Sequence, residues 1–314
     1  MQKEYNITFS INREHLLFAC VTLYSLLKNN DKYHFNIYLL HNNCLNKEEI
    51  DEICSKHPLN QFNNFKIILI DTSKLEILQQ KSSIPSENIK RNHSWPKEIL
   101  FKLFLHQFLP KVDNILHLDT DIIVKGDISK LFEIEENIIF KGNPLASNVK
   151  DNWLNAGVML MNLKLARELE IEKTIIPYLE KNNALEERVI NDLFKNEISF
   201  FKEKIILHMD KEEKLRDFSN IVVVHYFSEN KPFSCPTKYH SIKLYFEYHS
   251  YLKAFIKNKI RYELLILSTF LLNIFYSYKR RYIHFMQKHF NKKIEYKPSF
   301  MIEKIYKYAI IKKQ

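Results

Sequence analysis

Glycine is almost missing from this chain. Only three occur in 314 residues, at Gly126, Gly142 and Gly157. A glycine-rich loop that cradles phosphate through its own backbone, of the P-loop or dinucleotide type, is therefore excluded. Any nucleotide bound here needs another grip, such as a metal ion or cationic side chains. Cysteine is sparse too, and Cys20, Cys44, Cys54 and Cys235 form no CxxC pair or framework spacing. In a chain of this size they read as free thiols in a reducing compartment. Long hydrophobic runs are also lacking. The longest, Leu264 to Phe275, is broken by Ser268, Thr269 and Asn273, whereas a bilayer-spanning helix needs ~20 apolar residues. Met1-Gln-Lys-Glu-Tyr-Asn runs straight into a strand-like stretch with no signal-peptide core. These absences together predict a cytoplasmic protein.

What is present is an uneven charge. The formal net charge is +10, yet residues 241–314 hold 16 Lys/Arg against 4 Asp/Glu, and residues 1–240 hold 31 against 33. The basic character thus belongs to a C-terminal segment. There it is laced with aromatics, as in Lys279-Arg-Arg-Tyr-Ile-His-Phe and Lys304-Ile-Tyr-Lys-Tyr. The chain is read as one domain over 1–240 and a basic, mainly helical tail over 241–314. Cations with interleaved aromatics suit an anionic membrane surface. Helices packed on the core with a solvated basic face are the plainer alternative, and nucleic acid ranks last because no nucleic-acid motif appears.

Along the first 240 residues, strand-like and helical stretches alternate. Ile7 to Ile11, Phe35 to Leu40, Phe65 to Ile70 and Asn114 to Leu118 read as strands. Leu16 to Leu27 and Lys47 to Lys56 read as helices, and Pro96 opens another that runs through Phe108. The alternation predicts an α/β fold around a mostly parallel sheet. In such sheets ligands bind beyond the carboxyl ends of the strands. At one such end stands Ile115-Leu-His-Leu-Asp119-Thr120-Asp121, followed by the extended run Ile122-Ile-Val124. Carboxylates at i and i+2 project to one side of an extended chain. Crowding them costs energy unless a cation sits between them, and a hard divalent ion suits oxygen ligands and shares its coordination with phosphates. A solvated turn is the bland alternative. A haloacid-dehalogenase-type phosphohydrolase is disfavoured by Ile123 and by the motif's position deep in the chain.

Three stretches now occur in a telling order: Leu118-Asp-Thr-Asp121-Ile-Ile-Val124, Asn155-Ala-Gly-Val-Met-Leu-Met-Asn162 and His225-Tyr-Phe-Ser-Glu-Asn-Lys231. Over residues 5–235 the chain resembles glycosyltransferase family 8, especially its bacterial lipooligosaccharide galactosyl- and glucosyltransferases. The resemblance implies a GT-A-type, Rossmann-like nucleotide-sugar-binding domain and a retaining transfer of galactose or glucose from UDP-sugar. The acceptor would be a surface glycan such as lipooligosaccharide or capsule, as in lipopolysaccharide biosynthesis. It also implies a Mn²⁺ cofactor, with Mg²⁺ as the alternative, held by Asp119, Asp121 and His225. Lys231 would contact the diphosphate, with Thr120 and Gly157 beside the donor and Asn155-Ala-Gly157 as a sugar-facing loop. A mixed shell of carboxylates and a neutral imidazole favours Mn²⁺ over Mg²⁺.

Glu186 and Glu187 fall where the family carries an acid and an amide beside the reacting carbon, so the resemblance makes Glu186, Glu187 and Asn155 the catalytic candidates. An exposed acidic helix start is the alternative for the two glutamates. In the base-binding region the chain offers Ser10, Asn12 and Glu14, with Asn12 replacing an Asp, Glu14 an Asn and His15 a Tyr. Lys102 stands for a family Arg near the donor, keeping the charge but losing the planar fork. The tail, on this reading, attaches the enzyme to the inner face of the plasma membrane near a lipid-linked acceptor. A nucleotide-sugar-binding protein that has lost turnover is the alternative, motivated by Asn12, Glu14 and Glu187.

Overall fold

The computed structural model describes residues 2–75, 83–85, 94–144, 153–201, 205–208, 220–226 and 242–257, with 259, 260, 262, 263, 266 and 267. The chain forms two compact units, residues 1–207 with 217–225, and residues 208–216 with 226–314. The first unit is built on a seven-stranded sheet. Its strands are β1 (Glu4–Ser10), β2 (His34–His41), β3 (Phe65–Asp71), β6 (Asn114–Leu118), β8 (Phe140–Pro144), β9 (Leu154–Asn162) and β10 (Ile198–Phe200). Two short strands, β4 (Ser83–Pro85) and β5 (Ser94–Pro96), pair antiparallel in a separate two-stranded sheet.

The sheet order is β10-β8-β9-β6-β1-β2-β3. Four of its six pairings are parallel, and β9 runs antiparallel to both β6 and β8. The expected α/β fold with a mostly parallel sheet is therefore what the chain adopts. The central strands are buried on both faces, which is why they read as continuous apolar runs rather than alternating ones. Their side chains join Phe101, Phe104, Leu105 and Phe140 in one large core.

Helix α1 (Leu16–Asn29) follows β1, α2 (Lys47–Cys54) follows β2, and the latter is capped by Asn46, whose side chain accepts from the Glu49 N–H. The helix expected from Pro96 through Phe108 differs in kind. Lys97–Phe104 is a 3₁₀ helix, and only α3 (Leu105–Phe108) is α-helical. Proline marks where a helix starts but says nothing about whether its bonds then run i→i+3 or i→i+4. Downstream, α4 (Leu163–Glu168), α5 (Glu172–Lys181) and α6 (Glu186–Leu193) pack beside β9.

After β6 the chain leaves the main sheet. Ile122–Val124 (β7) pairs antiparallel with Val223–His225 (β12), which neighbours Ile206–His208 (β11) in a three-stranded sheet. The other side of β7 is held by polar side chains of α1 and its cap. Thr22 Oγ1 donates to the Ile122 and Thr120 carbonyls at 2.8 and 3.2 Å, and Ser25 Oγ accepts from the Val124 N–H at 2.9 Å. Asn29 Nδ2 donates to the Val124 carbonyl at 2.9 Å, and Asn30 binds the Ile128 N–H and the Gly126 carbonyl. Positions 22, 25, 29 and 30 share one helix face. A polar seam on an otherwise apolar helix thus satisfies backbone groups that would be costly to bury unpaired.

In the second unit, Ile242–Leu252 (α7) packs among tyrosines. The Tyr226 hydroxyl donates to the Leu244 carbonyl, and His249 Nδ1 lies 2.6 Å from the Tyr262 hydroxyl. Among the described residues no helix is long and apolar enough to cross a membrane.

Candidate active site

Three ligand-bearing side chains meet at the carboxyl end of β6. Asp119 and Asp121 flank Thr120 where β6 gives way to β7, and His225 arrives on β12. The register pairs His225 with Ile122, one residue beyond Asp121. His225 Nε2 lies 3.3 Å from Asp121 Oδ1 and 3.8 Å from Asp119 Oδ2, and one ligand atom from each residue lies within 4.8 Å of the others. Ligands held about 2.1 Å from one ion sit roughly 3 Å apart at a right angle and about 4 Å apart across it. Two carboxylates and an imidazole at these separations therefore fit a divalent cation.

Gly157 makes room for this cluster. A β-carbon built on it would lie 2.2 Å from His225 Cε1 and 2.9 Å from both His225 Nε2 and Asp119 Oδ2. Its φ is not in the left-handed region, so space rather than backbone freedom calls for glycine. Asn155, Ala156 and Gly157 lie within β9, not in a loop as expected. The Gly157 carbonyl accepts from the Asp119 N–H at 2.8 Å, which ties the first carboxylate to β9.

Behind the cluster lies a buried charge network. Lys102 is 1% exposed, and its Nζ lies 3.3 Å from Asp119 Oδ1, 3.2 Å from the Ala156 carbonyl and 3.3 Å from Glu186 Oε1. An ammonium has three N–H bonds, and each has an acceptor here. Burial works against the Lys102 charge, but Asp119 and Glu186 outweigh it and raise its pKa. Burial likewise opposes ionisation of Asp119, yet Lys102 and His117 hold its carboxyl well below the usual range. Burial and the Lys102 charge push His117 down to about 4, so the ring is neutral.

Glu186 and Glu187 open α6, as a helix start would have it, but their side chains turn inward. Burial raises the Glu186 pKa despite Lys102. Glu187 Oε1 accepts from Asn155 Nδ2 at 2.6 Å and from the Ala156 N–H at 3.2 Å. Burial, then the nearby Glu186, pushes the Glu187 carboxyl up to about 7. Asn191 fastens the same helix to β9: its Oδ1 accepts from the Leu154 N–H, and its Nδ2 donates to the Leu154 and Glu187 carbonyls.

The raised Glu187 pKa gives a pH prediction. The unfolded side chain titrates near 4.5. The folded protein retains the proton longer, so this contribution to stability is full below pH 4.5 and is lost as pH rises through about 7. Its loss amounts to up to ~3 kcal/mol. Glu187→Gln is expected to flatten the decline. Urea unfolding of cation-free protein at about pH 5 and about pH 8 checks this, and an unchanged pH dependence in the variant contradicts it.

The base-binding candidates gather at the ends of β1 and α1. Ser10 closes β1, and its hydroxyl is buried with no hydrogen-bond partner among the described residues. Asn12 caps a short 3₁₀ turn, its Oδ1 accepting from the His15 N–H at 3.1 Å and lying 2.8 Å from His15 Nδ1. Its amide NH₂ is the group left to meet a ligand. Glu14 is exposed beside it, while Arg13 is anchored to Glu49 by a two-armed ion pair. Thr120 contributes its carbonyl to Thr22. Lys231, the expected diphosphate contact, lies outside the described residues, as does most of the basic tail.

Sequence reasoning missed His117 and the seam of Thr22, Ser25, Asn29 and Asn30. The seam had a signal, polar residues at one-face spacing within an apolar helix. His117 had one as well, an imidazole two residues from Asp119 set among the apolar Ile115, Leu116 and Leu118.

A family model described as glycosyl transferase family 8 matches residues 6–234. The lipopolysaccharide 1,2-glucosyltransferase of Escherichia coli is 22% identical over 262 residues, covering 74% of each chain. The lipopolysaccharide 1,3-galactosyltransferase of Salmonella typhimurium is 23% identical over 264 residues, covering 73% of each. Among solved structures, galactosyltransferase LgtC in complex with donor and acceptor sugar analogues superposes with a TM-score of 0.60 at 16% identity. That match spans 79% of this chain and 95% of LgtC, a likeness of fold that identifies the sheet as the GT-A type.

Proposed function

The chain belongs to glycosyl transferase family 8, and on that premise we propose that it transfers a hexose, galactose or glucose, from a UDP-sugar to a surface glycan with retention of configuration. The observation that carries this reading is the convergence of Asp119, Asp121 and His225 around one cation-sized gap. These three would hold Mn²⁺. When bound, the ion supplies Lewis-acid stabilisation of the charge that builds on the departing diphosphate. The relatives named for lipopolysaccharide glucosyl- and galactosyltransfer support a hexose donor and an acceptor of the lipopolysaccharide type.

The chain's own groups take the remaining roles. Asn155 and Glu187 are hydrogen-bonded into one polar face beside the cluster, suited to the donor sugar's hydroxyls. Glu186 sits behind them with its charge partly balanced by Lys102. Ser10 and the Asn12 amide face the nucleoside, and an amide donor can pair with a uracil carbonyl. Lys231 would contact the diphosphate, as the family resemblance implies. The tail over 241–314 brings the enzyme to the inner face of the plasma membrane, where a lipid-linked acceptor would lie.

The test uses the full chain. UDP release is followed with UDP-galactose and UDP-glucose, with Mn²⁺ and with EDTA, in the presence of anionic vesicles that are afterwards sedimented. Metal-dependent release from either donor, with the enzyme in the pellet, is the expected result. Binding without release from any nucleotide sugar overturns the enzyme reading in favour of a sugar-binding protein. Enzyme remaining in the supernatant overturns the membrane reading alone.

A further inference from the structure

His117 lies on β6 two residues before Asp119 and is fully buried. Residues i and i+2 on a strand share a face, and His117 Nε2 is 3.0 Å from Asp119 Oδ1. A carboxylate oxygen only accepts, so Nε2 carries the proton and donates. Nδ1 of the same ring is buried with no hydrogen-bond partner among the described residues. Burying an imidazole with one nitrogen unmatched is costly, and an apolar side chain like its neighbours Leu116 and Leu118 would avoid the cost.

The two oxygens of Asp119 are treated differently. Oδ1 receives His117 at 3.0 Å and Lys102 at 3.3 Å. Oδ2 faces the other way, 3.8 Å from His225 Nε2 and toward the space that Gly157 leaves open. We propose that His117 is a positioning residue that turns the Asp119 carboxylate so that Oδ2 alone is offered to a divalent cation. The proposal rests on the reading of Asp119, Asp121 and His225 as a cation site. Lys102 cannot do this work alone, because it divides its contacts among Asp119, Glu186 and the Ala156 carbonyl. The imidazole is shared with no other acceptor among the described contacts and is planted on the same strand. It therefore fixes the carboxylate plane.

Partners behind a metal ligand typically contribute 10–100-fold to metal affinity. The experiment measures Mn²⁺ binding to the full chain by the loss of the free-ion paramagnetic resonance signal. His117→Gln places an amide N–H close to the Nε2 position, whereas His117→Asn is polar but too short to reach Asp119 Oδ1. We expect His117→Gln to bind Mn²⁺ nearly as wild type does and His117→Asn to bind it ~10–100-fold more weakly. A purely structural role would not separate the two variants in this way. Equal affinity in wild type and both variants overturns the positioning role while leaving the cation site standing. Absence of Mn²⁺ binding in the wild type overturns the cation reading itself, and the proposal with it. Should His117→Asn not fold, His117→Leu replaces it under the same criterion.

Discussion

Replacing Asp121 by alanine is expected to lower UDP release by about three decades while the fold persists. Asp121 is 4% exposed, and its Oδ1 is 3.3 Å from His225 Nε2. Removing the carboxylate deletes one of three proposed ligands. It also relieves the mutual repulsion of two acids with no ion between them, so the apoprotein has little reason to unfold. Lewis-acid assistance supplies several kcal/mol at the transition state, and ~4 kcal/mol is about a thousandfold in rate. Steady-state release with saturating Mn²⁺, alongside far-UV circular dichroism, checks both halves. A variant that keeps wild-type turnover would remove the cation from the mechanism.

Gly157→Ala is expected to lower activity by about a hundredfold, by a different route. The added carbon would stand 2.2 Å from His225 Cε1, well inside any real contact, and 2.9 Å from Asp119 Oδ2. Either the imidazole withdraws or β9 shifts, and β9 is pinned through the Gly157 carbonyl to the Asp119 N–H. Overpacking of this kind costs ~1–3 kcal/mol of stability. Displacing a ligand by even ~1 Å can cost a hundredfold in rate. Gly126→Ala is the control. There the new carbon meets backbone at 3.1 Å, a squeeze away from the cluster, so activity should stay close to wild type. Mn²⁺ titration and thermal melting of the two variants separate the outcomes, and equal loss in both would mean that Gly157 matters only for packing.

The first half of the fold was legible because each strand is a continuous apolar run with polar punctuation. Ile7, Phe35, Phe65 and Asn114 all fall in or at the edge of the strands they announced. The carboxylate pair was legible as well, since acids directly after a buried strand are conspicuous. His225 was visible only through resemblance, because its partnership with Asp121 is made by strand pairing between distant segments, which no local pattern encodes. The 3₁₀ form of Lys97–Phe104 was hidden, as the residues that open the two helix types are the same. The inward turn of Glu187, like the place of His225, was visible only through resemblance. Acids at a helix start ordinarily face water, and only the tertiary placement of Asn155 and Ala156 draws this one in. The seam on α1 lay in plain sight, but polar residues in a helix reveal their purpose only once the backbone they serve is known.

The pairing of Ile122 with His225 also constrains how the sequence can drift. Alternate residues of a strand face opposite sides, so a slip of one position exchanges every side chain between faces. An insertion or deletion between Ile221 and His225 would bring Val224 or Tyr226 to the carboxylates and carry the imidazole away from them. Length changes further upstream, before Val222 bonds back to the Ile205 carbonyl at 2.7 Å, leave that alignment untouched. Descendants of this sequence are thus free to lengthen or shorten the connection ahead of the strand, but within its last few residues only substitution, not a change in count, preserves the third ligand.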